Sequence, residues 1–462
     1  MRGFAIALIS TLSLAACAVG PDYHRPIVET PPAFREASGW TQAQPGTADM
    51  QSDWWTLFGD DQLNNLERQV AISNQNLKAA AAAYRQARAL VGENISNLFP
   101  TVGVNASADR SHQAGVTANH YSASVGGTWA LDVWGRVRRT VEGARANAQA
   151  SGDDLAAATL SAQAELAVDY IELRAADEQK RLLDATVAAD RASLRVAQNR
   201  YDVGVAARGD VAAQQSQLAQ TQAQAVDLER QRAILEHAIA VLIGKPPAEL
   251  TIAPTDWRLT PPSVPLSVPS TLLQRRPDIA AAERHAAAAS AQIGVAQSAF
   301  FPDITLSAST GGASNVLADI VSAPNAVWSV GAALAGTLLD FGGRAANVSA
   351  ARSGYQQAVA QYRQTVLNAF QDVEDNLASA RVFESEQTYR DSATTAANEA
   401  ERVALNQYRA GTIDQTTLLV AQSTARDARI SALQISSERL TTAVTLIEAL
   451  GGGWSAPGRP TG

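Results

Sequence analysis

Histidine and cysteine are the residue types in this chain whose side chains most often bind metals or act as nucleophiles. The chain has 462 residues and contains five histidines, which are scattered along it: His24, His112, His120, His237 and His285. Their separations match no metal-binding motif, although His112 and His120 flank a predicted loop, where they could form a zinc clip or simply be exposed. The sequence also contains neither a P-loop nor a Gly-x-Ser-x-Gly nucleophile motif. We therefore predict that the protein is not an enzyme and binds no metal or other cofactor.

The single cysteine, Cys17, lies in a segment that predicts a different chemistry, the covalent attachment of lipid. A positive residue, Arg2, precedes an apolar run from Phe4 to Leu12, which is the pattern of a secretory signal peptide at residues 1–16. The following Leu-Ala-Ala-Cys is similar to a bacterial lipobox, in which the cysteine becomes the lipidated first residue. The alternative is an ordinary signal peptide with an incidental cysteine. Because a lipid chain alone binds a membrane only marginally, we expect a second membrane contact elsewhere in the chain.

Charge and composition argue against a nucleic-acid partner and against membrane-spanning helices. The net charge of −8 and the pI near 5.3 argue against a nucleic-acid partner, which requires a basic face. Beyond the N-terminus no run of about 18 apolar residues occurs, so no helix is predicted to span a membrane. Hydrophobic residues make up 46% of the chain, but many of them are alanine. Such a composition favours closely spaced helices, as in coiled coils.

An internal duplication organises the rest of the chain. The sequence Tyr-Arg-Ala-Gly at Tyr408 has a copy, Tyr-Asp-Val-Gly, at Tyr201, and the two tyrosines are 207 positions apart. Both turns lie between long Ala- and Gln-rich segments, and glycine is a usual residue just after a helix. We therefore predict two helical hairpins with tips near 201–210 and 408–417. The segment from Gly135 to Tyr201 would span roughly 100 Å as a helix, a length suited to a conduit across a periplasm.

After each of two Phe-Pro pairs the hydrophobic periodicity changes from helical to alternating. The alternation predicts strands at about 101–112 and 120–132 in the first repeat, and at about 303–313 and 326–340 in the second. Each strand has about the length that a tilted membrane strand needs. Three aromatic residues lie where the membrane interfaces would be: Tyr121, Trp129 and Trp328. The alternative is two soluble hairpins packed on a core.

Four membrane strands per chain would require association of several chains. A sheet edge exposed to lipid leaves backbone groups without hydrogen bonds, so a membrane sheet must close. Two copies would give eight strands, whose interior side chains would fill the barrel, whereas three copies would give twelve and leave a lumen. If the strands cross a membrane, the sequence predicts a trimer with a water-filled pore.

The domain organisation follows from these segments. Residues 17–50 form an extended arm rich in proline and glycine, and residues 251–270 form a Pro-rich connector between the two repeats. The first repeat occupies residues 51–250, the second repeat residues 271–451, and residues 452–462 are predicted to be a disordered tail. The predicted fold class is mixed α and β, with long α-helical hairpins, four strands and an internal duplication.

These motifs together are similar to those of the TolC family of outer membrane factors, in the branch of efflux outer membrane lipoproteins also called the NodT family. The resemblance covers nearly the whole chain and depends on four features: the run from Leu14 to Pro26, Trp54-Trp55 with Phe58, Arg-Arg-Pro-Asp-Ile at 275–279, and the duplicated turns. It implies a homotrimer in which a twelve-stranded outer-membrane β-barrel continues into a periplasmic α-helical barrel, with the connector in an equatorial belt.

The resemblance also implies partners and a location. The trimer would lie in the bacterial outer membrane, anchored by lipid on Cys17, and would extend into the periplasm. It would dock with a periplasmic adaptor and an inner-membrane pump of the RND type, which supplies the energy for exporting drugs or small molecules. Two other functions stay open: the exit duct of a type I protein-secretion system, and a lipid-anchored periplasmic scaffold without a pore. The lipoprotein motifs favour efflux.

The resemblance places the periplasmic gate at the hairpin tips. In relatives an acidic residue one turn into the first-repeat helix bonds the tyrosine of the second-repeat turn, and the matching residues here are Asp210 and Tyr408. We hypothesise that their hydrogen bond holds the closed state; the alternative is that Asp210 only N-caps its helix. The remaining gate candidates are Tyr201, Asp414, Thr416, Thr417 and Val420. Relatives often carry acidic or bulky apolar residues at the last three positions, so an acidic ring there is doubtful. Asp414 is the nearest carboxylate, unless it is a solvated loop charge.

Overall fold

The computed structural model describes residues 18–37, 53–256, 260–262, 264, 269 and 275–454. Cys17 and the signal peptide lie outside the described residues, as do residues 38–50 of the predicted arm and parts of the predicted connector. The helices, in chain order, are α1 Asp61–Ser73, α2 Gln75–Ser96, α3 Arg136–Asp202, α4 Arg208–Leu242, α5 Pro277–Ser298, α6 Gly343–Ala410 and α7 Gln415–Ala449. The strands are β1 Thr101–Gln113, β2 Val116–Leu131, β3 Asp303–Ser314 and β4 Ala326–Ala335. Short 3-10 helices occur at Trp54–Phe58, Pro247–Glu249, Leu317–Asp319 and Ala323–Asn325. The predicted combination of long helices with four strands is confirmed.

The chain divides into two compact units. One unit, here called the strand unit, comprises Met1–Val28, Ala81–Asp154 and Asp278–Thr365. The other, the hairpin unit, comprises Glu29–Ala80, Leu155–Pro277 and Val366–Gly462. In the described part of the chain, the helices contain no apolar stretch long enough to cross a membrane.

The strand unit carries an antiparallel sheet in the order β1-β2-β3-β4, so β1 and β4 are its edges. Serine pairs bond across neighbouring strands, with 2.9 Å between the Oγ atoms of Ser107 and Ser122 and 2.9 Å between those of Ser309 and Ser329. Every residue of β1 and β4 is exposed within the chain. Both edge strands therefore present unpaired backbone groups that could pair with a further strand.

Two predicted strand limits are corrected by the structure. β2 begins at Val116 rather than about residue 120, because Ala114 and Gly115 both have positive φ, 51° and 81°, and form a two-residue hairpin turn. His112 and His120 therefore lie in strands and not beside a loop. β4 ends at Ala335, five residues before the predicted limit, because its partner β3 begins opposite that residue.

The start of the N-terminal arm is extended, as predicted, but it is held by specific contacts. Arg139, whose side chain is 7% exposed, donates to the Gly20 carbonyl at 3.2 Å and to the Asp22 carboxylate at 2.9 Å. The Tyr23 hydroxyl donates to the Glu283 carboxylate at 2.5 Å. Gly20 has φ +109° and approaches Gly294 so closely that a Cβ would lie 2.5 Å from the Gly294 Cα. The arm from residue 18 to 28 is therefore a packed part of the strand unit.

The hairpin unit contains the main hydrophobic core. Trp54, Trp55 and Phe58 are buried in it, with edge-to-face ring contacts at 5.9 and 6.4 Å. Asp60 caps α1 by accepting hydrogen bonds from the Gln62 and Leu63 amides, and it also accepts one from the Tyr170 hydroxyl at 2.8 Å. The motif of two tryptophans and a phenylalanine is thus a packing motif that positions the start of α1.

The start of the connector is fixed by charged side chains. Asp177, which is buried, accepts from Arg174 at 3.1 Å and from Arg232 at 2.7 Å. Arg174 also donates to the Ala253 carbonyl at 2.8 Å, and Arg232 donates to the Ile252 carbonyl. Two arginines joined by one carboxylate therefore hold the backbone at Ile252 and Ala253, where the connector begins.

The predicted tail is corrected at its first residues. Gly452 is buried, and its amide donates to the Ile447 carbonyl at 2.9 Å, which closes the C-terminus of α7. The Trp454 amide donates to the Gly451 carbonyl at 2.9 Å. Residues 452–454 are therefore an ordered helix end, whereas residues 455–462 lie outside the described residues.

Candidate functional site

The hairpin tips contain the candidate gate, and both tips are built in the same way. At the first tip, α3 ends at Asp202 and the Gly204 amide donates to the Tyr201 carbonyl at 2.9 Å. At the second, α6 ends at Ala410 and the Gly411 amide donates to the Tyr408 carbonyl at 3.0 Å. Both glycines have left-handed φ, 78° and 76°. Each Tyr-x-x-Gly sequence therefore ends a helix through its glycine.

The two tyrosines of the duplicated turns differ in burial. Tyr408 is 4% exposed and packs with Ala404 and Leu418, whereas Tyr201 is 41% exposed. Burial raises the pKa of Tyr408. Its hydroxyl has no hydrogen-bond partner among the described residues. Tyr408 is thus part of the small apolar core of the second tip, whereas Tyr201 lies at the surface of the first tip.

Arg200 is a site residue that the sequence interpretation missed. Its guanidinium lies 4.7 Å from the centroid of the Tyr408 ring, and its Nη1 donates to the Tyr408 carbonyl at 2.9 Å. A guanidinium over an aromatic face is favourable, and the hydrogen bond fixes its position. The signal in the sequence is an arginine in the last turn of α3, beside Tyr201. Arg200 directly connects the first-repeat tip with the second-repeat tip.

The hydrogen bond predicted between Asp210 and Tyr408 is not formed within this chain. Asp210 is the third residue of α4, and its carboxylate accepts from the Ala207 amide at 3.2 Å. It is not the N-cap residue either, because Ala207 occupies that position. The carboxylate satisfies an amide just before the helix, in the manner of the acidic half of a capping box.

Asp414 is the N-cap of α7 and not a free loop charge. Its carboxylate accepts from the Thr417 amide at 2.8 Å, and hydrogen bonding to Thr417 lowers the pKa of Asp414. The predicted ring residues follow in the first two turns of the same helix. Thr416, Thr417 and Val420 are all exposed within the chain. These three positions therefore expose two hydroxyl groups and one apolar side chain, and none of them carries a carboxylate.

Behind the tips the hairpins contact each other through buried polar side chains. Gln415 Nε2 donates to Gln214 Oε1 at 2.6 Å between the two hairpins, whereas within the first hairpin Thr221 of α4 donates to the Asp190 carboxylate of α3 at 2.8 Å. Burial raises the pKa of Asp190. Gln214 Nε2 and Gln415 Oε1 have no partner among the described residues. The interface between the two hairpins is therefore polar and incompletely hydrogen-bonded, which makes it less stable than a fully satisfied one.

The three predicted interface aromatics lie near the two ends of the sheet. Trp129 lies near the C-terminal end of β2, where it pairs with Leu306 of β3. Its Nε1 donates to the Leu98 carbonyl at 2.9 Å. Tyr121 and Trp328 lie toward the other end, beside the loop between β3 and β4. The structure thus separates the aromatics into two levels along the strands.

The histidines form no metal site in the described residues. No group of three or more His, Cys, Asp or Glu side chains there is arranged to hold a metal ion. His112 Nδ1 lies 2.8 Å from Thr117 Oγ1 across the β1–β2 hairpin, and His285 Nε2 lies 3.8 Å from the Asp154 carboxylate. The latter contact raises the pKa of His285. These are local surface contacts.

Paired long helices joined to a four-stranded antiparallel sheet define a protomer of an outer-membrane channel. A family model described as outer membrane efflux protein matches residues 66–245 and 268–452. The pyoverdine export outer membrane protein OpmQ of Pseudomonas aeruginosa is 30% identical, and the alignment covers 91% of each chain. The toluene efflux pump outer membrane protein TtgC of Pseudomonas putida is 28% identical over 96% of this chain and 94% of its own.

A solved structure agrees with these relatives. The outer-membrane channel OprN superposes with a TM-score of 0.89 at 31% identity, over 95% of this chain and all of the OprN chain. The chain belongs to the outer membrane efflux protein family. It is an outer-membrane channel of a tripartite efflux system, it extends into the periplasm, and it is not an enzyme.

Proposed function

We propose that three copies of this chain form one passive exit duct for small organic molecules. The observation that carries this proposal is the four-stranded sheet with two free edges, β1 and β4. An open edge cannot persist in lipid, and twelve strands from three copies would leave a lumen, whereas eight from two would not. The two levels of aromatics support placement of this sheet in the membrane.

The proposed partners follow from the efflux role. An exit duct needs an energy source, so the tips dock with a periplasmic adaptor that connects them to an inner-membrane pump, which we propose is of the RND type. Lipid on Cys17 and the closed barrel would provide two independent membrane contacts. The relatives named for pyoverdine and for toluene carry different cargo. The channel therefore accepts small organic molecules as a class, and the pump selects among them.

The experiment that tests the duct is conductance with a measured oligomeric state. Protein extracted in detergent is expected to have the mass of three chains and to conduct ions as single channels in a planar bilayer. A monomer that passes no ions would refute the duct and leave a lipid-anchored scaffold. Chemical cleavage of the lipid and mass spectrometry of the N-terminal peptide would separately test acylation of Cys17.

We further propose that the tip contact of Arg200 with Tyr408 holds the resting gate closed, in place of the Asp210 bond. Arg200→Gln removes the charge over the ring and should raise the resting conductance of single channels. Arg409→Gln is the matched control, because Arg409 follows Tyr408 and its side chain is exposed. Equal resting conductance in both variants and the parent protein would refute this assignment of the gate without affecting the duct itself.

A further inference from the structure

The turn that follows β4 exposes three large apolar side chains. Leu338, Leu339 and Phe341 are 98%, 70% and 93% exposed within the chain. Phe341 also has a left-handed φ of 50°. This conformation is unfavourable for a bulky side chain and persists where the surroundings hold it. Exposed apolar residues on such a backbone indicate a surface that another molecule covers.

The equivalent turn of the first repeat shows what a turn of this kind contacts. Residues 131–136, Leu-Asp-Val-Trp-Gly-Arg, correspond to residues 339–344, Leu-Asp-Phe-Gly-Gly-Arg. The Trp134 ring stacks on Phe301, with centroids 4.7 Å apart and planes inclined by 22°. Trp134 Nε1 also donates to the Pro302 carbonyl at 2.8 Å. The turn after β2 is therefore seated on the Phe-Pro pair that precedes the neighbouring strand, β3.

In the second-repeat turn the Arg344 guanidinium lies 5.3 Å from the centroid of the Phe300 ring, but among the described residues Phe341 has no stacked ring, and β4 is an edge strand. The corresponding Phe-Pro pair is Phe99 and Pro100, which precede the other edge strand, β1. Phe99 is 62% exposed. Two strands separate β1 from β4, a distance of roughly 14 Å at the usual strand spacing. The two surfaces of one chain therefore cannot meet each other.

Strand pairing shows the same difference between the repeats. β2 runs three residues beyond Thr128, its last pairing with β1, and these residues pair with β3 alone. β4 stops at Ala335, its last pairing with β3. Residues 336–339 continue the alternating pattern but have no strand beside them in the described part of the chain. The last residues of β2 thus pair with the strand that follows it, β3, whereas residues 336–339 have no following strand in the described part of the chain.

We propose that the turn at residues 338–341 packs on Phe99 and Pro100 of the next copy, and that residues 336–339 extend β4 along β1 of that copy. This inference rests on the trimer of the proposed function. The contact repeats the Trp134 arrangement, with Phe341 as the aromatic residue because Gly342 occupies the position of Trp134. The two surfaces are different patches of the chain, so the contact is head-to-tail, which is the type of contact that forms a ring when the rotation between copies closes.

Cross-linking between two new cysteines tests this contact. In the double variant Phe99→Cys with Phe341→Cys, a short bismaleimide is expected to give covalent dimers and trimers on a denaturing gel. Each single variant should stay monomeric on that gel. Co-expressing the two single variants with different tags should give a covalent dimer that carries both tags, which would show that the bond joins separate copies.

Removal of the ring gives a second readout. Phe341→Gly keeps the left-handed backbone without strain, so the fold of each copy is preserved while the contact is lost. Burial of a phenylalanine side chain changes an association equilibrium constant by a factor of roughly ten or more. The dissociation constant of the trimer should therefore increase at least tenfold in Phe341→Gly. Val321→Ala is the control, because Val321 is 94% exposed in the loop at the other end of β4.

The outcomes separate the inference from the function on which it rests. A trimer that conducts but neither cross-links nor loses stability in Phe341→Gly would overturn the contact. Protein that is never trimeric would instead refute the proposed duct. Cross-linking in the double variant with weakened trimers in Phe341→Gly would establish the contact.

Discussion

Replacement of Glu67 by methionine should stabilise the hairpin unit, and increasingly so as the pH rises. Glu67 is 0% exposed, and neither of its carboxylate oxygens has a hydrogen-bond partner among the described residues. It lies on the apolar face of α1 with Leu63, Leu66 and Val70. Burial raises the pKa of Glu67 from 4.5 to about 9, because an ionised carboxylate in an apolar site loses its hydration.

The sign and size of the effect follow from proton linkage. In the unfolded chain Glu67 ionises at its ordinary pKa, whereas the folded chain keeps the proton until about pH 9. Between these values the folded state binds one more proton than the unfolded state, so the free energy of unfolding falls as the pH rises. The free energy of unfolding falls by roughly 1.4 kcal/mol per pH unit in this range. Relative to the fully protonated protein, it is therefore lower by about 4 kcal/mol at pH 7.5 and by less than about 1 kcal/mol at pH 5. Glu67→Met removes this loss.

Urea unfolding in detergent, followed by far-ultraviolet circular dichroism at fixed protein concentration, measures the effect. The midpoint of Glu67→Met should exceed that of the parent protein slightly at pH 5 and by a wide margin at pH 8. Glu384→Met is the control, since Glu384 is exposed on α6 of the same unit. A midpoint difference that is the same at every pH would refute the reasoning, because it would mean that Glu67 does not change its protonation on folding.

Two further variants test other buried groups by the same unfolding measurement. Tyr408→Phe removes a hydroxyl without a partner in the described residues, so the free energy of unfolding should change by less than about 0.5 kcal/mol; a loss above about 2 kcal/mol would reveal a hydrogen bond to that hydroxyl. Asp177→Asn breaks a buried contact with Arg174 and Arg232 and should cost about 3–5 kcal/mol. Asp184→Asn, which affects only an exposed pair with Lys180, should cost less than about 1 kcal/mol; equal losses in both variants would contradict this account.

Periodicity was sufficient to predict the long helices and the four strands, because a change of hydrophobic period marks a change of secondary structure wherever the pattern is long. The limits of the strands required more. The β1–β2 turn depends on the backbone conformation of Ala114 and Gly115, which a pattern of apolar residues does not contain. The end of β4 depends on where its partner strand begins, and that is a property of the sheet.

The positions of the helix ends at the candidate site could be predicted, because they depend on local backbone geometry. The side-chain contacts at buried positions could not be predicted, because they depend on packing between distant segments. The Tyr-x-x-Gly pattern located both helix ends, since glycine at a helix C-terminus has a local cause. Arg200 and Glu67 were missed, because their roles come from what folds over them. Glu67 did have a signal: it lies four residues after Leu63 and three before Val70, and this spacing places it on the buried face of α1. A carboxylate at such a position is a candidate for a raised pKa.

The two halves of the duplication share the geometry of their hairpin tips and differ in which aromatic residues are buried. Tyr408 is covered within the chain and Tyr201 is 41% exposed; likewise Trp134 stacks on a neighbour and Phe341 is 93% exposed. In a ring of repeats, each chain supplies one junction between its own halves and one junction with the next chain. The inner junction can be completed during folding of the single chain, whereas the outer one must stay uncovered until assembly. An aromatic residue that is left exposed within the single chain, such as Phe341, is therefore what the outer junction of such a ring would present before assembly.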